Sequence, residues 1–408
     1  MRCRGCGSTL SKTFLDLGFS PIANNLLSLD QLDKPDAYFP LHVRTCDVCG
    51  LVQLPDISSR ETLFPENYTY YSSYSESWLT HSQKYATKII EKLGLTEDDF
   101  VVEIASNDGY LLQYFRGAGI PVLGIEPAAE VAKVAEQERD IPTIIEFFGE
   151  ETAKRVLEQN AKPRLMIANN VLAHVPDIHD FVAGFAALLA DDGIITFEFP
   201  HLLNLILLNQ FDTIYHEHYS YLNVTSLIPI FAKHGLRIFD VEELDSHGGS
   251  LRIFVCKTNF QLKEEPSVKN CVDAEAVHDP RSASVASKIQ SGSQQVKSDL
   301  TDELARIIKS GRTVAAYGAA AKGNTLLNFV GVKSDSIDYV VDRNPYKQGN
   351  YLPGSHIPIV SEDYLQKNPP DVLLVLPWNL AAELSQQLEY LRMQGVKFLR
   401  AIPSLEYF

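Results

Sequence analysis

The stretch VVEIASNDGYLLQYF, Val101 to Phe115, decides the fold. It begins with a short apolar run, passes through a polar turn ending in Gly109, and resumes with apolar residues at helical spacing. A strand that runs into a glycine-bearing turn and then a helix turns backbone N–H groups toward an anionic ligand group. The same apolar rhythm returns in PVLGIEP, RLMIANNV and GIITFEF, with helical patterns between them. From Ser72 to about Cys256 this alternation predicts a parallel, doubly wound sheet, an α/β architecture. The next strand ends at Glu126, about twenty residues beyond the turn, where a carboxylate suits a ribose diol.

Outward toward the C-terminus, LRIFDVEELDSHGGSLRIFVCK (Leu236 to Lys257) reads as an antiparallel hairpin closing one edge of that sheet. Thr258 to about Ser310 is polar and reads as a linker followed by a helix, amphipathic near Leu300 to Ile308. TVAAYGAAAKGNTLLNF, from Thr313, then begins another strand, turn and helix, and DYVVDRNP and DVLLVLPW read as further buried strands. Toward the N-terminus, Met1 to Tyr70 alternates short apolar runs with turn residues, as a small β-rich unit would. The expected domains are 1–70, 71–257 and 258–408.

A chain of 408 residues is too long for one ordinary core. Its 45% hydrophobic and 22% charged residues are those of a globular protein. A formal net charge of -16 lacks the basic face that a phosphate backbone demands, so nucleic acid is excluded as a partner. No apolar run approaches the roughly 18 residues that span a bilayer, and the N-terminus shows no leader pattern. A cytoplasmic location without membrane contact is expected.

Four of the six cysteines, Cys3, Cys6, Cys46 and Cys49, form two CxxC pairs, each followed by glycine. This is the spacing of tetrahedral zinc ligation. Four thiolates leave no open coordination position, so the expected zinc is structural.

Two further motifs carry the chemistry. NNVLAHV, Asn169 to Val175, follows the fourth strand, where a class I methyltransferase lines its cofactor pocket. No GxGxxG marks the first turn, as a dinucleotide enzyme would require, so the ribose expected at Glu126 is that of S-adenosylmethionine. The expected cofactor contacts are Glu103, Ala105, Asn107, Asp108, Gly109, Glu126 and Asn170. FDTIYHEHYSYL, Phe211 to Leu222, places Tyr215, His216, Glu217 and His218 in succession. Tyr215 and His218 would share a helical or turn face, whereas His216 and His218 would share one in an extended segment.

Taken with HGGSLR (His247 to Arg252) and YGAAAKGNTLLN (Tyr317 to Asn328), SNDG and YHEHYSY resemble the deoxysugar C-methyltransferase family over nearly the entire chain. The resemblance implies a class I methyltransferase core, an N-terminal four-cysteine zinc unit and a C-terminal Rossmann-like domain that helps bind a sugar nucleotide. It implies His218 as the base near the sugar, with Tyr215 and Glu217 beside it, and implicates His174 and either Tyr68 or Tyr70. It differs in one place: the family shows glycine before SNDG, and here Ala105 adds a methyl group close to the cofactor.

The implied substrate is a nucleotide-linked 4-keto-6-deoxysugar, with thymidine diphosphate as the nucleotide and C-3 as the carbon methylated. Carbon methylation needs a carbanion equivalent, which a carbon beside a ketone supplies once a base removes its proton. His216, Arg252, Lys322 and Arg343 are candidate substrate contacts, the three cations for a diphosphate. The alternatives are an O- or N-methyltransferase, which needs no carbon acid, a nicotinamide-dependent sugar oxidoreductase, and a zinc scaffold without catalysis.

Overall fold

A computed structural model describes residues 1–57 and 71–408. In chain order the strands are β1 (Lys12–Ser20), β2 (Phe39–Thr45), β3 (Val52–Gln53), β4 (Val101–Ile104), β5 (Val122–Ile125), β6 (Thr143–Ile144), β7 (Leu165–Asn169), β8 (Ile194–Pro200) and β9 (Ser220–Tyr221). There follow β10 (Leu236–Leu244), β11 (Ser250–Lys257), β12 (Val314–Tyr317), β13 (Val340–Val341), β14 (Ile359–Val360), β15 (Val372–Val375), β16 (Lys397–Arg400) and β17 (Glu406–Tyr407).

The central sheet has the order β10-β11-β8-β7-β4-β5-β6. β4 to β8 run parallel, and β11 is antiparallel to both its neighbours. β4 and β5 are buried at every position because helices cover both faces, which is why their sequences read as continuous apolar runs rather than alternating ones. The strand order reverses between β4 and β7, and it is outside the carboxyl ends of strands at such a reversal that open α/β sheets bind ligands. The C-terminal sheet, β14-β13-β12-β15-β16-β17, is parallel except for β17.

Two findings depart from the sequence reading. The polar stretch after Lys257 contains two helices, Pro266–Val277 and Ala283–Lys309, where a linker and one helix were expected. The second buries Val285, Ile289, Ser293, Val296, Leu300, Leu304 and Ile307, a stripe spaced by threes and fours that the surrounding Ser, Gln and Lys obscure. The other departure is that β9, from the methyltransferase region, completes the N-terminal sheet in the order β1-β2-β3-β9.

Among the described residues, the N-terminal unit has no separate core. Phe14, Leu15, Leu41 and Val43 pack in one cluster with Leu300, Leu304, Val314 and Leu327 of the C-terminal part. Cys3, Cys46 and Leu51 pack with Phe197, Leu227 and Ile230 of the central domain. The unit is a wedge with one end in each neighbour.

Candidate functional site

The turn after β4 is held by its own backbone geometry. Ala105 and Asn107 both adopt left-handed φ values, 53° and 51°, which cost an L-residue about 1–2 kcal/mol each. Gly109 closes the turn at φ 77°, and a side chain there would meet Ile141 Cγ1 at 3.1 Å. Glu126 stands opposite. Its Oε2 accepts the N–H of Asn107 at 3.0 Å and its Oε1 that of Ala128 at 2.8 Å. Burial pushes this carboxyl up to about 7. Asn107 Oδ1 accepts the N–H of Ser72 at 2.8 Å, and Asp108 accepts from the Ser73 hydroxyl.

The donor set fits S-adenosylmethionine, with its ammonium group and ribose hydroxyls. Glu126 retains lone pairs beyond its two backbone bonds. Asp108 Oδ1 and Asn170 Oδ1 are buried with no hydrogen-bond partner among the described residues. Glu103, at the end of β4, is fully buried beside Tyr110, and burial raises its pKa well above the ordinary carboxylate range. Asn170 sits in a left-handed turn at φ 55°, its N–H on Glu198 O at 2.7 Å, and its Nδ2 lies 3.3 Å from His247 Nε2.

Next to this turn lies a cluster of histidines and tyrosines. His218 Nδ1 faces the carbonyl of Thr213 at 2.9 Å and so carries the hydrogen, leaving Nε2 to accept the hydroxyl of Tyr215 at 2.8 Å. His174 Nδ1 faces the carbonyl of Glu217 at 2.8 Å, and its ring packs edge-on against His218 with centroids 4.6 Å apart. Burial keeps both imidazoles neutral, His174 down to about 4 and His218 well below its ordinary value. Because Nδ1 of His174 holds the hydrogen, its Nε2 is an acceptor.

The remaining predicted residues separate. His216 turns the other way, edge-on to Phe39 and with Nε2 3.3 Å from Pro40 O, because residues 215 to 218 form a turn, closed by the His218 N–H on Tyr215 O at 2.9 Å, that brings Tyr215 and His218 to one face. The Glu217 side chain accepts from Asn24 of the N-terminal unit, so it braces that unit rather than pairing with the His218 ring. Arg252 is buried in an ion pair with Glu198 and lies over the Tyr85 ring, which corrects its reading as a diphosphate contact. Arg343 is half-exposed and pairs through Nε with Glu362 at 2.9 Å within the C-terminal domain. Lys322 does join the cluster, half-buried, with Nζ 3.4 Å from His247 O and 5.0 Å from the Trp378 ring centroid. Tyr68 and Tyr70 lie outside the described residues.

Sequence reasoning missed two lining residues, Trp78 and Trp378. Trp78 stacks on His81 at 4.9 Å and against His247 at 5.2 Å. Trp378 donates to Asp212 Oδ2 at 2.7 Å and lies so close to Gly248 that a side chain there would collide with it at 2.3 Å. The chain has only two tryptophans, and that both flank the HGG turn is the signal that was available.

The four cysteine sulfurs all lie within 4.8 Å of one another, with Cys3 to Cys49 and Cys6 to Cys46 each 3.5 Å apart. A tetrahedron of Zn–S bonds has edges of roughly 3.8 Å, so this donor set fits zinc.

Family profiles match along the chain: a zinc binding domain over 3–64, a methyltransferase domain over 78–241, and a C-methyltransferase C-terminal domain over 245–403. C-methyltransferase NovU of Streptomyces niveus is 36% identical over 406 residues, covering 98% of this chain and 95% of that protein. Among solved structures, magnesium protoporphyrin IX methyltransferase from Synechocystis with bound S-adenosylmethionine covers 45% of this chain and 82% of its own, at 14% identity and a TM-score of 0.32. The 1,6-didemethyltoxoflavin-N1-methyltransferase of Burkholderia thailandensis covers 51% and 95%, at 16% identity and a TM-score of 0.37. With a relative matched along almost its full length, and with zinc-binding, methyltransferase and C-terminal domains in the order that the profiles give, the chain belongs to the S-adenosylmethionine-dependent C-methyltransferase family.

Proposed function

We propose that the substrate is a nucleotide-linked 4-keto-6-deoxysugar, methylated at C-3 through an enolate, and that His218 is the base. One observation carries this reading: a neutral imidazole whose lone pair at Nε2 is fixed by a backbone carbonyl on its other nitrogen and shared with a tyrosine hydroxyl. Such a unit serves a carbon acid, because it supplies an acceptor for the proton and a donor for the oxygen that becomes anionic. As Nε2 takes the α-proton it becomes a donor toward the Tyr215 oxygen, and the Tyr215 hydrogen is released toward the enolate oxygen. Glu126, Asp108 and Asn170 would hold S-adenosylmethionine, which supplies an electrophilic methyl group. Lys322 is the cation beside the cluster for the diphosphate, with thymidine as the nucleoside that the family resemblance suggests.

No helix among the described residues is long and apolar enough to cross a membrane, and a cytoplasmic location belongs to the proposal. Tyr68 and Tyr70 remain candidates to face the sugar.

The test is exchange of the sugar's α-proton with deuterated solvent, followed without a methyl donor so that deprotonation is isolated. His218→Asn should bind S-adenosylmethionine normally yet lower exchange by roughly a hundredfold or more, since an amide cannot accept a proton near neutrality. The acid limb of the wild-type exchange profile should lie below pH 6.5, because burial holds His218 neutral above that value. Exchange at the normal rate in the variant would remove His218 as the base and leave His174 or Tyr215.

A further inference from the structure

We propose that Arg4, within the first CxxC pair, is a positioning residue that makes metal ligation set the aim of the histidine cluster. The inference rests on the reading of that cluster as the base. Arg4 lies between two zinc ligands, Cys3 and Cys6. Its backbone N–H donates to Gln53 Oε1 at 2.9 Å, while Gln53 Nε2 reaches the Cys3 sulfur at 3.2 Å.

A guanidinium has five N–H donors in a rigid fork, and this one uses all of them. Nε donates to Pro176 O at 3.3 Å, Nη1 to Tyr219 O and to Ser220 Oγ at 3.4 Å, and Nη2 to Leu54 O at 2.9 Å and to the Asp56 carboxylate. The side chain is only 8% exposed and its guanidinium lies 5.4 Å from the Tyr219 ring centroid.

The carbonyls it grips are the significant part. Tyr219 follows His218 directly, and Pro176 is two residues beyond His174. These are the two imidazoles whose rings meet at 4.6 Å, and they sit on separate loops of the central domain. Arg4 spans both loops from outside and is anchored by the cysteines on either side. Gly5 adds a second tie, its carbonyl accepting from Lys233 Nζ at 3.0 Å and lying 2.7 Å from His179 Nε2. A fold staple alone would need the four sulfurs and the apolar packing. A fully committed guanidinium across two catalytic loops goes further, because loss of the knuckle's shape would let His174 and His218 drift apart while the sheet and cofactor turn stay intact.

The experiment compares Arg4→Lys, which keeps the charge but cannot bridge both loops, with the wild type. Asp56→Asn serves as a gentler variant at the exposed rim. Zinc content is measured first, then S-adenosylhomocysteine affinity by calorimetry, α-proton exchange, and nitrogen NMR of labelled histidines. Expected for Arg4→Lys are one zinc per chain, cofactor affinity within about twofold, exchange lowered tenfold or more, and altered ring-nitrogen signals of His174 and His218. Asp56→Asn should shift the same signals less.

Unchanged histidine signals with stoichiometric zinc would overturn the proposal. Loss of zinc or of cofactor binding in both variants would also overturn it, by making Arg4 a general staple. Altered histidine signals with normal exchange would support the clamp and instead defeat the assignment of the base, so the two claims fail separately.

Discussion

The protein contains the same strand-turn-helix device twice, and the two copies are put to different use. In the central domain Glu126, at the end of the second strand of the unit, accepts the N–H of Asn107 in the first turn at 3.0 Å. In the C-terminal domain Asp342, just beyond β13, accepts the N–H of Ala319 in the turn after β12 at 2.9 Å. The loop closure is alike, but the surroundings are not. Asp342 is also held by Lys347 at 3.4 Å and by the N–H of Asn344 at 2.9 Å. Glu126 has no cation bonded to it among the described residues, and burial raises its carboxyl to about 7. A carboxylate already neutralised by lysine completes a fold, whereas one buried without a counter-charge gains most from a ligand that brings donors.

The sharpest break of this comparison is a pair of substitutions. Glu126→Ala should weaken S-adenosylmethionine binding by about tenfold or more, as expected for lost charge-assisted hydrogen bonds. Asp342→Asn should change that affinity less than twofold while lowering unfolding stability by about 1–3 kcal/mol. Calorimetry and denaturant melts measure both, and equal effects on cofactor affinity would erase the distinction.

A smaller effect should appear with pH. Ribose hydroxyls donate to the ionised carboxylate, so binding favours loss of its proton. Affinity for S-adenosylhomocysteine should therefore rise several-fold from pH 6 to pH 8 and level off above the folded value of about 7. The sign for stability is the opposite. Between the ordinary carboxylate value of 4.5 and about 7 the unfolded chain gives up the proton and the folded apoprotein keeps it, so apoprotein stability falls as pH rises there. Glu126→Gln should flatten both profiles, and a pH response that survives this change would assign it to another group.

The smallest effect concerns the turns themselves. Ala105 is left-handed at φ 53°, whereas Gly318 occupies the second turn at φ 94° with Pro377 Cδ only 2.6 Å from where a side chain would be. Ala105→Gly should stabilise the protein by up to about 1 kcal/mol, the relieved strain being partly offset by glycine's unfolded-state entropy. Gly318→Ala should destabilise it. Thermal melts decide, and a loss of stability on Ala105→Gly would mean that its methyl group is packed rather than strained.

The central domain was legible because each signal was local: an apolar run, a turn of fixed chemistry, and a carboxylate one strand later. The cysteine pairs were legible for the same reason, since ligand spacing is a property of the chain and not of its packing. What could not be read was the partner chosen by each long side chain. Arg252 looked available until Glu198 appeared beside it from β8, and Glu217 looked catalytic until Asn24 reached it from almost 200 residues away. The helix from Ala283 was obscured because Ser293 sits in its buried stripe, where a small hydroxyl that bonds Gln290 O at 2.8 Å does the work of an apolar residue.

The pairing of β3 with β9 also orders events during synthesis. Val52 and Gln53 pair with Tyr221 and Ser220, so the ribosome must deliver more than 160 further residues before the N-terminal sheet gains its last strand. Until then the nascent chain carries an open β-edge, which is a template for joining another chain. The knuckle can take its metal early, but its loop grip on Tyr219 must wait, so a ribosome stalled before Ser220 would expose an unfinished sheet to its neighbours on the same message.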